Sequence, residues 1–148
     1  MLRKLRRLAD LTLVEQALLL QFTALSLILK AVLPTITLPR LTSFLSRTAS
    51  SSLLGLMALF HAHRPTNRLF LLIDLATAVT YGENRCLPRS LLFFWLLRMR
   101  RYPVSLCVGV NKNAARLEGH AWVEQDGVVL GDKNSFTNRY ALLLRLLA

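Results

Sequence analysis

The chain has 148 residues, 53% of them hydrophobic and 18% charged. That leaves room for one domain with a real core and excludes disordered, collagen-like and low-complexity chains; two cysteines exclude a disulfide scaffold. Nineteen Lys and Arg against eight Asp and Glu give a net charge of +11, which favours an acidic partner (nucleic acid, anionic lipid or acidic peptide) without choosing among them.

Residues 1–10 carry Arg3, Lys4, Arg6 and Arg7 ahead of an apolar stretch over 11–33. Basic-then-apolar is how an export signal begins. Here Asp10 and Glu15 interrupt its opening, the stretch runs long, and Leu33-Pro34 follows in place of a small-residue cleavage site. Residues 17–33 approach the length of a bilayer span, but Gln21 and Lys30 stand against one. The expectation is one or two helices over 1–33, stopped by Pro34 and packed on their own domain or lying on a partner or membrane surface. Two cysteines with no evident pairing and no export signal point to the cytoplasm, with peripheral membrane association as the variant.

Residues 34–52, with Pro34, Pro39 and Ser50-Ser51-Ser52, read as a connecting segment holding a short helix at 40–47. A helix is expected over 53–62. Pro65 suits the first turn of the next, over 66–80, where Leu69, Leu72, Ile73 and Ala76 recur at helical spacing. Residues 81–85 form a loop. The helix over 86–100 must begin near Cys86, because Pro88 fits only its first turn. Beyond Pro103 the pattern changes to strands over 104–110, 119–124 and 128–130, the last two joined by Asp126-Gly127, a two-residue hairpin signal. The apolar run 140–147 is expected as a short helix. Helices first and an antiparallel sheet after make an α+β fold, one domain over 1–148 with a helical part over 1–52 and the core over 53–148.

Three residues could carry chemistry together. Cys86 opens a helix, whose N-terminal partial charge favours a thiolate. His120 lies on the first strand of the hairpin and Asp132 at the end of the second, so they end up side by side. A base beside the thiol and a carboxylate behind the base is the arrangement that nucleophilic catalysis needs. Glu124 and Asp126 also sit nearby, and Glu124 could compete as the acidic member. Without further context a lone Cys and a lone His are more often structural. Ser90 reads as a packing residue one turn below Cys86, Trp122 as core or pocket wall and Cys107 as a buried apolar thiol. Arg98, Arg100 and Arg101 read as a solvated helix end, with docking of an acidic partner as the alternative. His61 and His63 with Cys86, Cys107 and His120 suggest zinc only weakly, since no Cys-x-x-Cys pair supports them; no metal is expected.

The local sequence sharpens this. Cys86-Leu87-Pro88-Arg89-Ser90, the apolar run 91–97, the basic run from Arg98 and then His120-Ala121-Trp122-Val123-Glu124 resemble the leader peptidases of lasso-peptide biosynthesis, from about Leu69 to the C-terminus. A departure is Tyr102-Pro103, where many relatives turn at a glycine. The resemblance implies a transglutaminase-like, papain-like cysteine protease core, with its Cys on Cys86, its His on His120 and its acid most plausibly on Asp132. It implies a precursor peptide as substrate and a separate leader-recognition protein, since this chain leaves no room for a leader-binding domain. It also implies an ATP-dependent lasso cyclase that condenses the released amine. No cofactor is expected on this chain, and ATP use belongs to the pathway, because no phosphate-binding Gly-rich loop is present. The rivals are acyl transfer to an amine on the same three residues, and a cationic membrane- or nucleic-acid-binding protein without catalysis; the peptidase reading takes no nucleic acid as partner.

Overall fold

A computed structural model of the protein describes residues 11–49, 64–111, 117–133 and 137–147. The first helix, α1 (Leu13–Val32), begins at a capping box: the Thr12 hydroxyl accepts from the Glu15 N–H at 3.3 Å, and Glu15 Oε2 accepts from the Thr12 N–H at 3.0 Å. Glu15 also ties α1 to α3 (Thr66–Tyr81), accepting from Arg68 Nε at 2.7 Å and from Arg68 Nη2 at 3.3 Å. The Arg68 and Thr12 bonds hold its carboxyl down at about 2 against the cost of burial. At the other end Lys30 Nζ donates to the Thr80 carbonyl at 2.7 Å, and the Ser26 and Thr80 hydroxyls bond each other. Leu18, Phe22 and Leu29 fill the interface between these anchors. Among the described residues, α1 is the helix long and apolar enough to cross a membrane, a test that core helices also pass.

After α1 the chain turns at Pro34, and α2 (Leu38–Ala49) follows, longer than the 40–47 expected. Its hydroxyl-bearing residues do not break it, because the Thr42 and Thr48 hydroxyls donate to carbonyls within the helix. The expected helix over 53–62 lies outside the described residues, as do His61, His63 and the basic residues of 1–10. Helix α3 ends at Gly82, whose φ of 63° is available to glycine at little cost.

Helix α4 (Cys86–Met99) is the centre of the molecule. Residues 90–97 are all buried, so it is apolar on every side, as expected of a helix surrounded by protein. It packs against α1, α2 and α3 on one side and the sheet on the other. One core runs from Leu18 and Phe22 through Leu72, Ile73 and Phe93 to Leu106 and Val123.

The sheet has four antiparallel strands in the order β3-β2-β1-β4: β1 (Ser105–Asn111), β2 (Glu118–Gln125), β3 (Val128–Leu130) and β4 (Ala141–Leu147). Asp126 and Gly127 both take positive φ, 50° and 79°, the turn that matches strand twist in a two-residue hairpin. Gly109 is where β1 can have no side chain: a Cβ would lie 2.8 Å from the Ala141 carbonyl oxygen and 2.9 Å from the Trp122 ring. The segment 140–147 corrects its expectation. It is an edge strand on β1, not a helix. Seven residues of which five are leucine carry neither a 3.6 nor a 2 period, and the open edge of β1 offered hydrogen bonds that decided the outcome.

Candidate active site

The chain enters α4 through the loop after Gly82, and Cys86 is the first helical residue. Arg85 before it gives no side-chain cap, and Pro88 has no N–H. The first turn therefore presents the backbone donors of Cys86 and Leu87 beside the thiol. One turn further, the buried Ser90 hydroxyl donates to the Ala121 carbonyl at 2.8 Å. That bond fixes α4 to β2 next to His120, and Cys86 Sγ lies 3.9 Å from the Gly119 carbonyl oxygen on the same strand.

His120 is buried and lies 3.3 Å through Nε2 from Asp132 Oδ2, which leaves Nδ1 as the nitrogen for the Cys86 thiol. Its ring packs against Tyr140, with centroids 5.0 Å apart, and more distantly against Trp122 at 6.0 Å. Asp132 follows Gly131, whose φ is 83° and whose absent Cβ would lie 2.5 Å from the Phe70 ring. This close approach swings Asp132 back over α3 and α4. There Arg89 Nη2 donates to both Asp132 oxygens, at 2.9 and 2.7 Å. Arg89 Nη1 reaches Asp74 Oδ1 at 3.2 Å, and Arg85 Nε reaches the same oxygen at 2.9 Å. The Arg89 guanidinium also lies over the Phe70 ring, 5.1 Å from its centroid.

Burial alone would push the Cys86 thiol up. The His120 hydrogen bond, the Ala121 N–H, the His120 charge and the Leu87 N–H together outweigh it and hold the thiol below its ordinary value. Burial alone would likewise push His120 down, but the bonds to Asp132 and to Cys86 raise it to about 8. A thiolate and an imidazolium thus stabilise each other, the state from which sulfur attacks.

The three residues singled out from the sequence are brought together. Of the competing acids, Glu124 accepts from Trp122 Nε1 at 2.6 Å and pairs with Arg145 at 2.8 Å, while Asp126 sits in the hairpin turn. Cys107 opposes Trp122 across β1 and β2, and its thiol is pushed up to about 12, first by burial and then by Glu124. Arg100 donates to the Arg64 carbonyl at 3.0 Å, so that part of the basic run is tied into the fold. Among the described residues no group of three His, Cys, Asp or Glu could hold a metal ion.

Arg89, Asp74 and Tyr140 were missed by sequence reasoning. Arg89 had a signal: it lies three residues after Cys86, on the same helix face. Tyr140 has none, because its position beside His120 depends on β4 pairing with β1.

An open cleft of about 480 Å³ lies on the Arg89, Asp132 and Lys133 side of Cys86, and a second hollow of about 550 Å³ lies toward Glu118, Arg139 and Tyr140. Glu83, Asn84 and Gly119 line both. A Cβ at Gly119 would meet nothing within 4 Å, so the backbone there faces open space.

Against family models, residues 30–145 match the one described as the transglutaminase-like superfamily, a span that holds Cys86, His120 and Asp132. No curated protein and no solved structure matches the chain.

Proposed function

The chain belongs to the transglutaminase-like superfamily, and from that premise we propose that it is a cysteine endopeptidase that removes the leader from a lasso-peptide precursor with Cys86, His120 and Asp132. The observation that carries the reading is the placement of a lowered thiol at a helix start beside a raised imidazole that is itself backed by a carboxylate. The narrower identity of the substrate rests on the resemblance of residues 86–90 and 120–124 to lasso leader peptidases.

The Cys86 thiolate attacks the scissile carbonyl carbon and forms the C–S bond. The oxyanion is met by N–H donors of the first turn of α4. The His120 imidazolium gives its proton to the leaving nitrogen as the C–N bond breaks, which releases the core peptide with a free N-terminal amine. His120, now neutral, takes a proton from water, whose oxygen attacks the thioester and frees the leader carboxylate. Asp132 holds the ring through Nε2 and stabilises its charged form. The cleft at the thiol and the hollow that adjoins it at Glu83, Asn84 and Gly119 suit a chain that continues beyond the cleaved bond, as an internal cleavage requires. A separate leader-recognition protein delivers the precursor, and an ATP-dependent cyclase consumes the released amine.

Precursor, leader-recognition protein and this chain are incubated and the products weighed. Two fragments whose masses sum to the precursor plus one water support the reading, together with their loss in Cys86→Ala. Leader release by Cys86→Ala at the wild-type rate defeats it. A joined product formed with loss of ammonia would assign the same residues to acyl transfer instead.

A further inference from the structure

Helix α1 carries two apolar rows on opposite sides. The inner row, with Leu18, Phe22 and Leu29, is buried within the domain. The outer row is Leu13, Ala17, Leu20, Ala24, Leu27 and Ala31, and all six are exposed; Leu13, Leu20 and Leu27 stand 83%, 72% and 55% open to solvent. A helix packed on one face ordinarily turns a polar face to water. This one does not, and its outer row steps by four, three, four, three and four residues, the spacing that seats one helix against another.

We propose that this face is a homodimer seam, on which α1 of a second copy packs antiparallel. The argument is self-complementarity. About a centre at position 22, an antiparallel pairing sets Leu13 opposite Ala31, Ala17 opposite Leu27 and Leu20 opposite Ala24. Every leucine then faces an alanine, and the two helices approach evenly along the seam. A parallel pairing would stack leucine on leucine and leave gaps between alanines. The flanks agree. Gln16, Thr23 and Lys30 run along one side of the row, so antiparallel helices set Lys30 near Gln16 and Thr23 near Thr23, with no like charges opposed. Val14, Gln21 and Ile28 lie on the other side: Val14 and Ile28, 41% and 60% exposed, extend the apolar contact, and Gln21 comes near Gln21 of the second copy between them. The arrangement is isologous, one patch used by both copies, as a closed two-fold dimer requires. A lipid surface takes any apolar face and gives the alternation of leucine and alanine no role, so that the basic residues Arg3, Lys4, Arg6 and Arg7 ahead of the helix make vesicle binding the other arm of the test. The face of α1 opposite this row is buried in protein, and Lys30 is the one cation of the helix.

The full-length protein is run by size-exclusion chromatography with light scattering over a concentration series. The expected mass moves from one chain toward two as concentration rises. Leu20→Glu and Ala24→Glu each hold it at one, while the pH profile of Cys86 alkylation stays unchanged and reports an intact fold. Orientation is read from Leu13→Cys and Ala31→Cys chains: mixed, they oxidise to a disulfide-linked pair of one of each, and neither links to itself. A wild-type monomer throughout, or a dimer that both glutamate variants leave intact, overturns the proposal. So does self-linking of Leu13→Cys. Binding of monomeric wild type to anionic phosphatidylserine vesicles, lost in Leu20→Glu, overturns it in favour of a lipid surface.

Discussion

Two groups of side chains along β2 contain nearly the same parts. One has a thiol, a ring, a carboxylate and an arginine in Cys86, His120, Asp132 and Arg89; the other has them in Cys107, Trp122, Glu124 and Arg145. His120 and Trp122 are two residues apart and share a face of the strand. Yet burial is outweighed at Cys86 and prevails at Cys107. The difference lies in what surrounds each sulfur. Cys86 has helix-start N–H groups and a ring that can carry positive charge, whereas Cys107 sits inside the sheet near a carboxylate and an indole that cannot. Inventory does not make a reactive cysteine; a cation-forming neighbour and donors aimed at sulfur do.

The largest test removes the ring that separates the two groups. In His120→Ala, kcat/KM is expected to fall by about 10³-fold or more, the upper part of what a positioned proton donor supplies. Alkylation of Cys86, followed by mass spectrometry against pH, should shift upward past the reference value of about 8.5, because burial remains and the compensating charge is gone. Cys107 should stay unlabelled in both proteins until they unfold. If both cysteines label alike in the wild type, the contrast between the groups is not real.

The carboxylates come next. Asp132→Asn keeps the shape but loses the charge behind His120, and a drop in kcat on the order of 10³–10⁴-fold is expected, as when the acid of such a set is neutralised. The matching change, Glu124→Gln, should leave kcat at the wild-type level. Arg89→Gln is expected to lower kcat about tenfold with little effect on KM, since it leaves the three residues present but removes the two-oxygen grip that sets Asp132. Equal effects of Asp132→Asn and Glu124→Gln would erase the distinction.

A pH series asks the same of the intact protein. His120 is raised from 6.5 to about 8, so the imidazolium that we propose as proton donor to the leaving nitrogen is present below that value. The rate kcat/KM should fall with a slope of one proton as pH rises through about 8. The stability that the His120 interactions contribute follows the same sign: it is complete below about 6.5 and is lost as pH rises through about 8. The high-pH loss of stability should vanish in His120→Ala, and its persistence there would place its origin elsewhere.

The placement of helices ahead of an antiparallel sheet, the start of the helix at Cys86, the Asp126-Gly127 turn and the meeting of Cys86, His120 and Asp132 were legible because each rests on local rules: a proline confined to a first turn, two residues of positive φ, a hairpin that folds its ends together. What stayed hidden depends on contacts distant in sequence. The strand at 141–147 exists because β1 had an open edge. The meeting of Arg89 with Asp132 requires Gly131 to pass against Phe70, and nothing in the spacing of residues 70, 89 and 131 announces that approach. The choice of Asp132 over Glu124 likewise turned on Trp122 and Arg145 occupying Glu124.

The smallest expected effect comes from the arginine of the inert group. Arg145 is 43% exposed at its side chain and pairs with Glu124 near the sheet edge, and such a pair contributes about 1 kcal/mol or less. Arg145→Ala should therefore lower Tm by no more than about 2–4 °C, the scale of such a loss in a domain of this size. Its effect on Cys107 has a definite sign. Arg145 is the charge that lowers this thiol while burial and Glu124 raise it, so its removal pushes the thiol further up and labelling becomes slower still. The Cys86 profile should not move, since Arg145 belongs to the other group. An arginine at Asp132 that changes rate, and one at Glu124 that changes only a few degrees of melting, would show that the two groups differ in wiring as well as in the state of their sulfur. Faster labelling of Cys107 in Arg145→Ala would mean that access through the sheet edge, and not the charge around the sulfur, keeps it silent.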